Sequence, residues 1–124
     1  MALKIEKPYD ILSEEEIKHI VYVSKALAAN DWRILESIMN RLQDNFFEEI
    51  RNKYTLLTED DIHIILLLRI GFSHKEISRL CGILPASLRK RRYRLKKKMD
   101  VECNSITDFI QNLYMKKESE CNVL

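Results

Sequence analysis

Glycine and proline are scarce in this chain, two of each in 124 residues. That leaves little room for loops and argues for long helices joined by short turns. Cysteine is equally uninformative as a scaffold. Cys81, Cys103 and Cys121 are odd in number, widely spaced and without a C-x-x-C pair, a pattern that suggests neither a disulfide framework nor a zinc knuckle. Long apolar runs are missing too. The run Ile64–Leu68 is among the longest and falls far short of the ~20 residues a membrane-spanning helix needs, and no segment has the form of a signal peptide. The expected setting is a reducing, cytoplasmic one with no membrane partner.

Catalytic signatures are absent as well: there is no glycine-rich phosphate loop, no Ser-His-Asp set and no H-E-x-x-H. His19, His63 and His74 lack metal-ligand spacing, and His74 with Cys81, seven positions on, supplies only two ligands. Asp60 and Asp61 could be drawn as an acid–base pair, but they stand where a helix starts, and capping accounts for them. Cys81 falls on the inner face of a short helix and is expected to be a small core residue. No enzyme activity, metal or cofactor is expected.

The net charge of +2 hides where the charge sits. Residues 1–54 carry −2 and 55–84 carry −1, whereas 85–99 hold eight basic residues and no acidic one, and 100–124 return to −3. A strongly cationic segment inside a mildly acidic chain is the usual footprint of a polyanion partner.

Hydrophobic periodicity makes the chain all-α. Ser13 with Glu16 forms a capping box, and apolar residues follow to about 29, where Asn30-Asp31 is expected to end the first helix. A second helix is expected over 32–54, with Trp32, Leu35, Met39, Leu42, Phe46, Ile50 and Tyr54 along one drifting stripe. It would be about 35 Å long, more than a small core needs, so residues 1–54 suggest a helical arm or hairpin. Its stripe is expected to be core or a dimer seam, with Phe46 or Phe47 reaching a partner. Thr58 with Asp61 caps an apolar helix ended by Gly71. Ser73 with Glu76 caps the next, which Gly82 ends. Pro85 opens the basic helix, and Ser105 with Asp108 starts a last short one.

On the basic helix, with Leu88 at 0° and about 100° per residue, Leu95 falls near 340° and Met99 near 20°, a narrow buried stripe. Ala86, Lys90, Tyr93 and Lys97 cluster between about 140° and 200°, with Arg89 and Arg94 flanking them. An ordinary exposed helix intersperses glutamates for i,i+4 pairing; this one has none. Such a face fits a major groove about 12 Å wide, where Lys and Arg bind phosphates and an Arg near the helix start can grip a guanine edge.

Residues 56–99 resemble the LuxR/GerE-type helix-turn-helix of bacterial transcription regulators. The shared elements are Leu57-Thr58, Gly71-Phe72-Ser73, Lys75-Glu76-Ile77, Leu80, Ile83, Ala86-Ser87-Leu88 and Lys97-Lys98-Met99. The chain departs from that pattern at Leu84, where the family usually has a Ser or Thr cap. It departs again at Arg91 and Arg92, expected to snorkel or to pair with Glu76 or Asp61. The resemblance implies a four-helix DNA-binding unit over 55–115, while the sequence itself suggests an arm over 1–54 and a flexible tail over 116–124. It implies base contacts from Arg89, Lys90 and Tyr93, which agree with the angles above. The candidates for phosphate contact are Arg91, Arg92, Arg94, Lys96 and Lys97, and the candidate dimer contacts are Trp32, Leu35, Met39, Leu42, Phe46, Phe109 and Leu113. Double-stranded DNA and a second copy of the chain are the expected partners. Region four of bacterial sigma factors shares much of the pattern, so an interaction module docking on RNA polymerase is the alternative.

Overall fold

A computed structural model describes residues 3–101 and 105–113, and among them the fold is all-helical. One turn of 3-10 helix, Tyr9–Ile11, leads into seven α-helices. They are α1 (Glu14–Tyr22), α2 (Ala29–Leu42), α3 (Phe46–Lys53), α4 (Glu59–Ile70), α5 (His74–Cys81), α6 (Pro85–Lys98) and α7 (Ile106–Asn112). The expected tail, 116–124, lies outside the described residues, as do Cys103 and Cys121.

The local signals act where they were read. Ser13, Thr58 and Ser73 each accept from the backbone N–H three residues on, and Glu16, Asp61 and Glu76 reach back to the cap N–H. Ser105 accepts from the N–H of Asp108. Gly71 and Gly82 close α4 and α5 in left-handed conformation, at φ 107° and 68°, where a side chain would be strained.

Two helix boundaries differ from expectation. The first helix ends at Tyr22, not near 29, because α5 competes for its end. Arg79 donates to the carbonyls of Tyr22, Ser24 and Lys25, while Leu27 N–H donates to Leu80 O at 3.2 Å. The Asn30-Asp31 pair is a helix start instead of a stop. Asp31 is fully buried, and its carboxylate accepts from Ala28 N–H at 2.8 Å and from Leu3 N–H at 3.2 Å.

The expected 32–54 helix is two helices. Asp44 and Asn45 have positive φ, 52° and 60°, and make an elbow. Asn40 holds it: its carbonyl accepts from Asn45 N–H at 2.8 Å and its side-chain oxygen from Phe47 N–H at 2.9 Å. Folding back packs α3 on α2 and buries Phe46, Phe47 and Ile50 in the common core in place of running out as an arm. Burial of these three side chains, about 1.5–3 kcal/mol each, together outweighs the strain of two left-handed residues, about 1–2 kcal/mol each.

Residues 1–54 are therefore no appended arm: Leu12, Ile17, Val21, Leu35, Met39 and Phe47 join Ile62–Leu68, Leu80, Leu88 and Leu95 in one core. This corrects the dimer seam as well. Trp32, Leu35, Met39 and Phe46 are buried within the chain, and Phe47 is fully covered, so none is left to reach a partner. Leu42, Phe109 and Leu113 are half-buried.

Asn45→Ala separates the elbow from a continuous helix by sign. At a left-handed position alanine is strained, and the variant should lose about 1 kcal/mol in urea unfolding. In an uninterrupted helix the same change would gain about 0.5 kcal/mol.

Candidate nucleic-acid interface

The basic helix α6 is seated by apolar residues from one side only. Leu88 and Leu95 are fully buried and Met99 nearly so, as the angular pattern requires. Pro85 occupies the first turn, and Leu84, the position before it, offers no side-chain cap and is 72% exposed. α5 lies against α6, with Gly82 turning the chain between them. Ser78 Oγ donates to Ile83 O at 2.6 Å, closing the turn.

The eight cations of α6 divide into two groups. Arg89, Lys90, Arg94 and Lys97 are exposed, Lys96 is half-exposed, and none makes an ion pair among the described residues. Tyr93 stands among them, 60% exposed, with the Lys97 ammonium 4.7 Å from its ring centroid. All three candidate base-contacting residues, Arg89, Lys90 and Tyr93, thus lie on the open face.

The other three hold the fold. Arg91 pairs with Asp60 at 3.5 Å. Lys98 donates to Asp61 at 2.6 Å, joining the end of α6 to the start of α4. Arg92 leaves the open face, approaching His74 Nδ1 at 3.2 Å and donating to Thr107 on α7 at 2.5 Å. Burial lowers its pKa from the usual arginine value. The phosphate candidates are corrected accordingly. Arg91 and Arg92 have partners within the protein, neither of them the expected Glu76 or Asp61, and Arg94, Lys96 and Lys97 remain. The role of Lys98 was missed from sequence. The signal was its angle, about 280°, which borders the buried stripe as Arg91 does at about 300°.

Asp61 connects the interface to the core. Its side chain is 8% exposed. Burial opposes its ionisation, but hydrogen bonds from Lys98 and Thr58 outweigh that and leave its pKa below the usual aspartate value. Behind this pair, His63 stacks on Trp32 with ring centroids 4.1 Å apart and planes 5° from parallel. Burial lowers the His63 pKa against the pull of Asp60 and Glu59, so the ring is neutral at pH 7. Cys81 is half-buried nearby, its thiol pushed up by burial to about 11, which leaves it protonated and unreactive at neutral pH.

Among the described residues no helix is long and apolar enough to cross a membrane, and no three His, Cys, Asp or Glu side chains are grouped to hold a metal. The chain matches no family model, no curated protein and no solved structure.

Asp61→Asn should weaken the protein by about 1–3 kcal/mol at pH 7, because Lys98 and the cap lose a charged acceptor. A carboxylate with a depressed folded pKa stabilises above its unfolded pKa, and that contribution is lost as pH falls through the folded one. The gap between wild type and variant in urea unfolding should therefore shrink below about pH 4.

Proposed function

We propose that this chain binds double-stranded DNA sequence-specifically in transcription regulation, as a LuxR-type helix-turn-helix with α6 in the major groove. The observation that carries the reading is the open face of α6, where five cations without ion-pair partners among the described residues surround Tyr93 on a helix anchored from behind by Leu88, Leu95 and Met99. Were these cations only a solvated surface, carboxylates on neighbouring helices would be expected to pair with them. Such pairing is confined to Arg91 and Lys98, at the border of the core.

In this reading Arg89 and Lys90 meet base edges near the helix start, where the small Ala86 lets the helix approach closely. Tyr93 meets them one turn further along. Arg94, Lys96 and Lys97 bind phosphates and supply affinity without sequence information. A dimer would place two such helices on half-sites about one helical turn of DNA apart. The half-buried Phe109 and Leu113, with Leu56 (70% exposed) beside them in a groove of about 610 Å³, are apolar residues that could join two copies. The alternative, a module docking on RNA polymerase, rests on the likeness to region four of sigma factors; a long amphipathic second helix would have been a further feature in its favour. That helix is two short ones with the stripe buried, so that feature is gone.

Selection from a randomised duplex pool tests the reading. A recovered motif supports a specific reader, and retention without any motif argues for electrostatic grip alone. On the selected duplex, Arg89→Ala should cost about 1–3 kcal/mol and relax preference at one base pair. Five cations at the interface predict a slope of log affinity against log salt of about −3 to −5. A flat salt response would remove phosphate contact from the account.

A further inference from the structure

Arg92 belongs to a chain of polar contacts that includes the first turn of α6. His74, the first residue of α5, places Nε2 2.9 Å from the carbonyl oxygen of Pro85 and Nδ1 3.2 Å from Arg92 Nη1. A carbonyl oxygen only accepts and a guanidinium only donates. Both contacts are hydrogen bonds in one state of the ring alone, the neutral one with its proton on Nε2. Arg92 Nη2 then donates to Thr107 Oγ1, so α5, two separate turns of α6 and α7 share one network.

We propose that His74 is a positioning residue for the DNA-facing helix. Its neutral Nε2–H tautomer holds the opening turn of α6, the turn that presents Ala86 and leads to Arg89, and Arg92 selects that tautomer from behind. The consequence for DNA rests on the function proposed above; the tautomer does not.

A second proton, on Nδ1, would set donor against donor and cation against cation at Arg92. It would also place positive charge in the first turn of α5, where the helix dipole opposes it. The surrounding groups do not compensate. α7 presents the uncharged Thr107. On α5 itself, Lys75 is a further cation, and Glu76 accepts from Ser73 N–H with Lys18 of α1 beside it. Protonation therefore leaves the Nε2–H bond to Pro85 O in place but repels Arg92, so the link from the opening turn of α6 to Arg92 and Thr107 is lost. A positive charge added near a polyanion would by itself raise DNA affinity, so the sign of the pH effect separates positioning from simple attraction.

Two measurements on the full chain test this. Nitrogen-15 NMR of the histidine rings at about pH 7.5 should show His74 protonated on Nε2 and bare on Nδ1; the opposite tautomer overturns the proposal. Affinity for the selected duplex is then compared between wild type and His74→Gln at about pH 7.5 and about pH 5.5, a window spanning ordinary histidine titration. Glutamine keeps an N–H for Pro85 and cannot titrate, and His19 and His63 are common to both proteins. Wild type should lose affinity relative to the variant by on the order of tenfold on acidification, the loss of one hydrogen bond to a charged group. A ratio that stays constant or moves in favour of wild type overturns the proposal. Should neither protein bind DNA at either pH, the DNA-binding reading fails and the ring decides the contact. An Nδ1 resonance that shifts in Arg92→Lys supports it, and one that does not overturns it.

Discussion

The constraint on which the fold depends is a helix that is apolar on nearly every side. In α4, Ile62 and the run Ile64–Leu68 are buried. No single neighbour can cover a helix that is hydrophobic all round, so it must be surrounded. The elbow at Asp44-Asn45 bends α3 back onto α2, whose apolar residues share the core with α4, and α5 and α7 pack against α4 from the chain that follows. Leaving even two or three of these side chains exposed would cost more than the net stability of many small domains.

Arginines tie the cover together at helix ends, where backbone carbonyls lack partners. Arg79 caps α1 from α5. Arg69, from the end of α4, donates to the carbonyls of Ile110, Gln111 and Leu113 at the end of α7. It also donates to Gln43 at the elbow and lies 4.0 Å from the centroid of the Phe46 ring. Burial lowers its pKa, yet these neutral oxygens satisfy the guanidinium without a carboxylate. In each case one planar donor set joins segments more than 20 residues apart.

The same economy of cations shapes α6. Its eight positive charges would repel one another on an isolated helix, and three are drawn off into contacts with α4, α5 and α7. Arg91 and Lys98 lie on one border of the apolar stripe and Arg92 on the other. The helix is thereby held on both borders, and its cationic face is left open as a rigid unit. A polyanion meeting that face would find side chains carried on an ordered backbone, which reduces the ordering cost of binding.

Much of this was legible in the residues themselves. The capping boxes at Ser13, Thr58 and Ser73, the glycine stops at 71 and 82, Pro85 at a helix start and the stripe of Leu88, Leu95 and Met99 all involve partners within about one to three turns, so sequence alone determined them. Helicity and the location of the charge followed from the same short-range rules. What only the tertiary structure decided involves partners distant along the chain. The end of α1 depends on Arg79, the role of Asp31 on Leu3, and the break near residue 44 on the burial that the common core offers. The division of the cations depends on Asp60, Asp61, His74 and Thr107, which lie 15 to 37 positions from the side chains they hold. Periodicity reports which face of a helix is apolar; it cannot report what covers that face, because the cover comes from elsewhere in the chain.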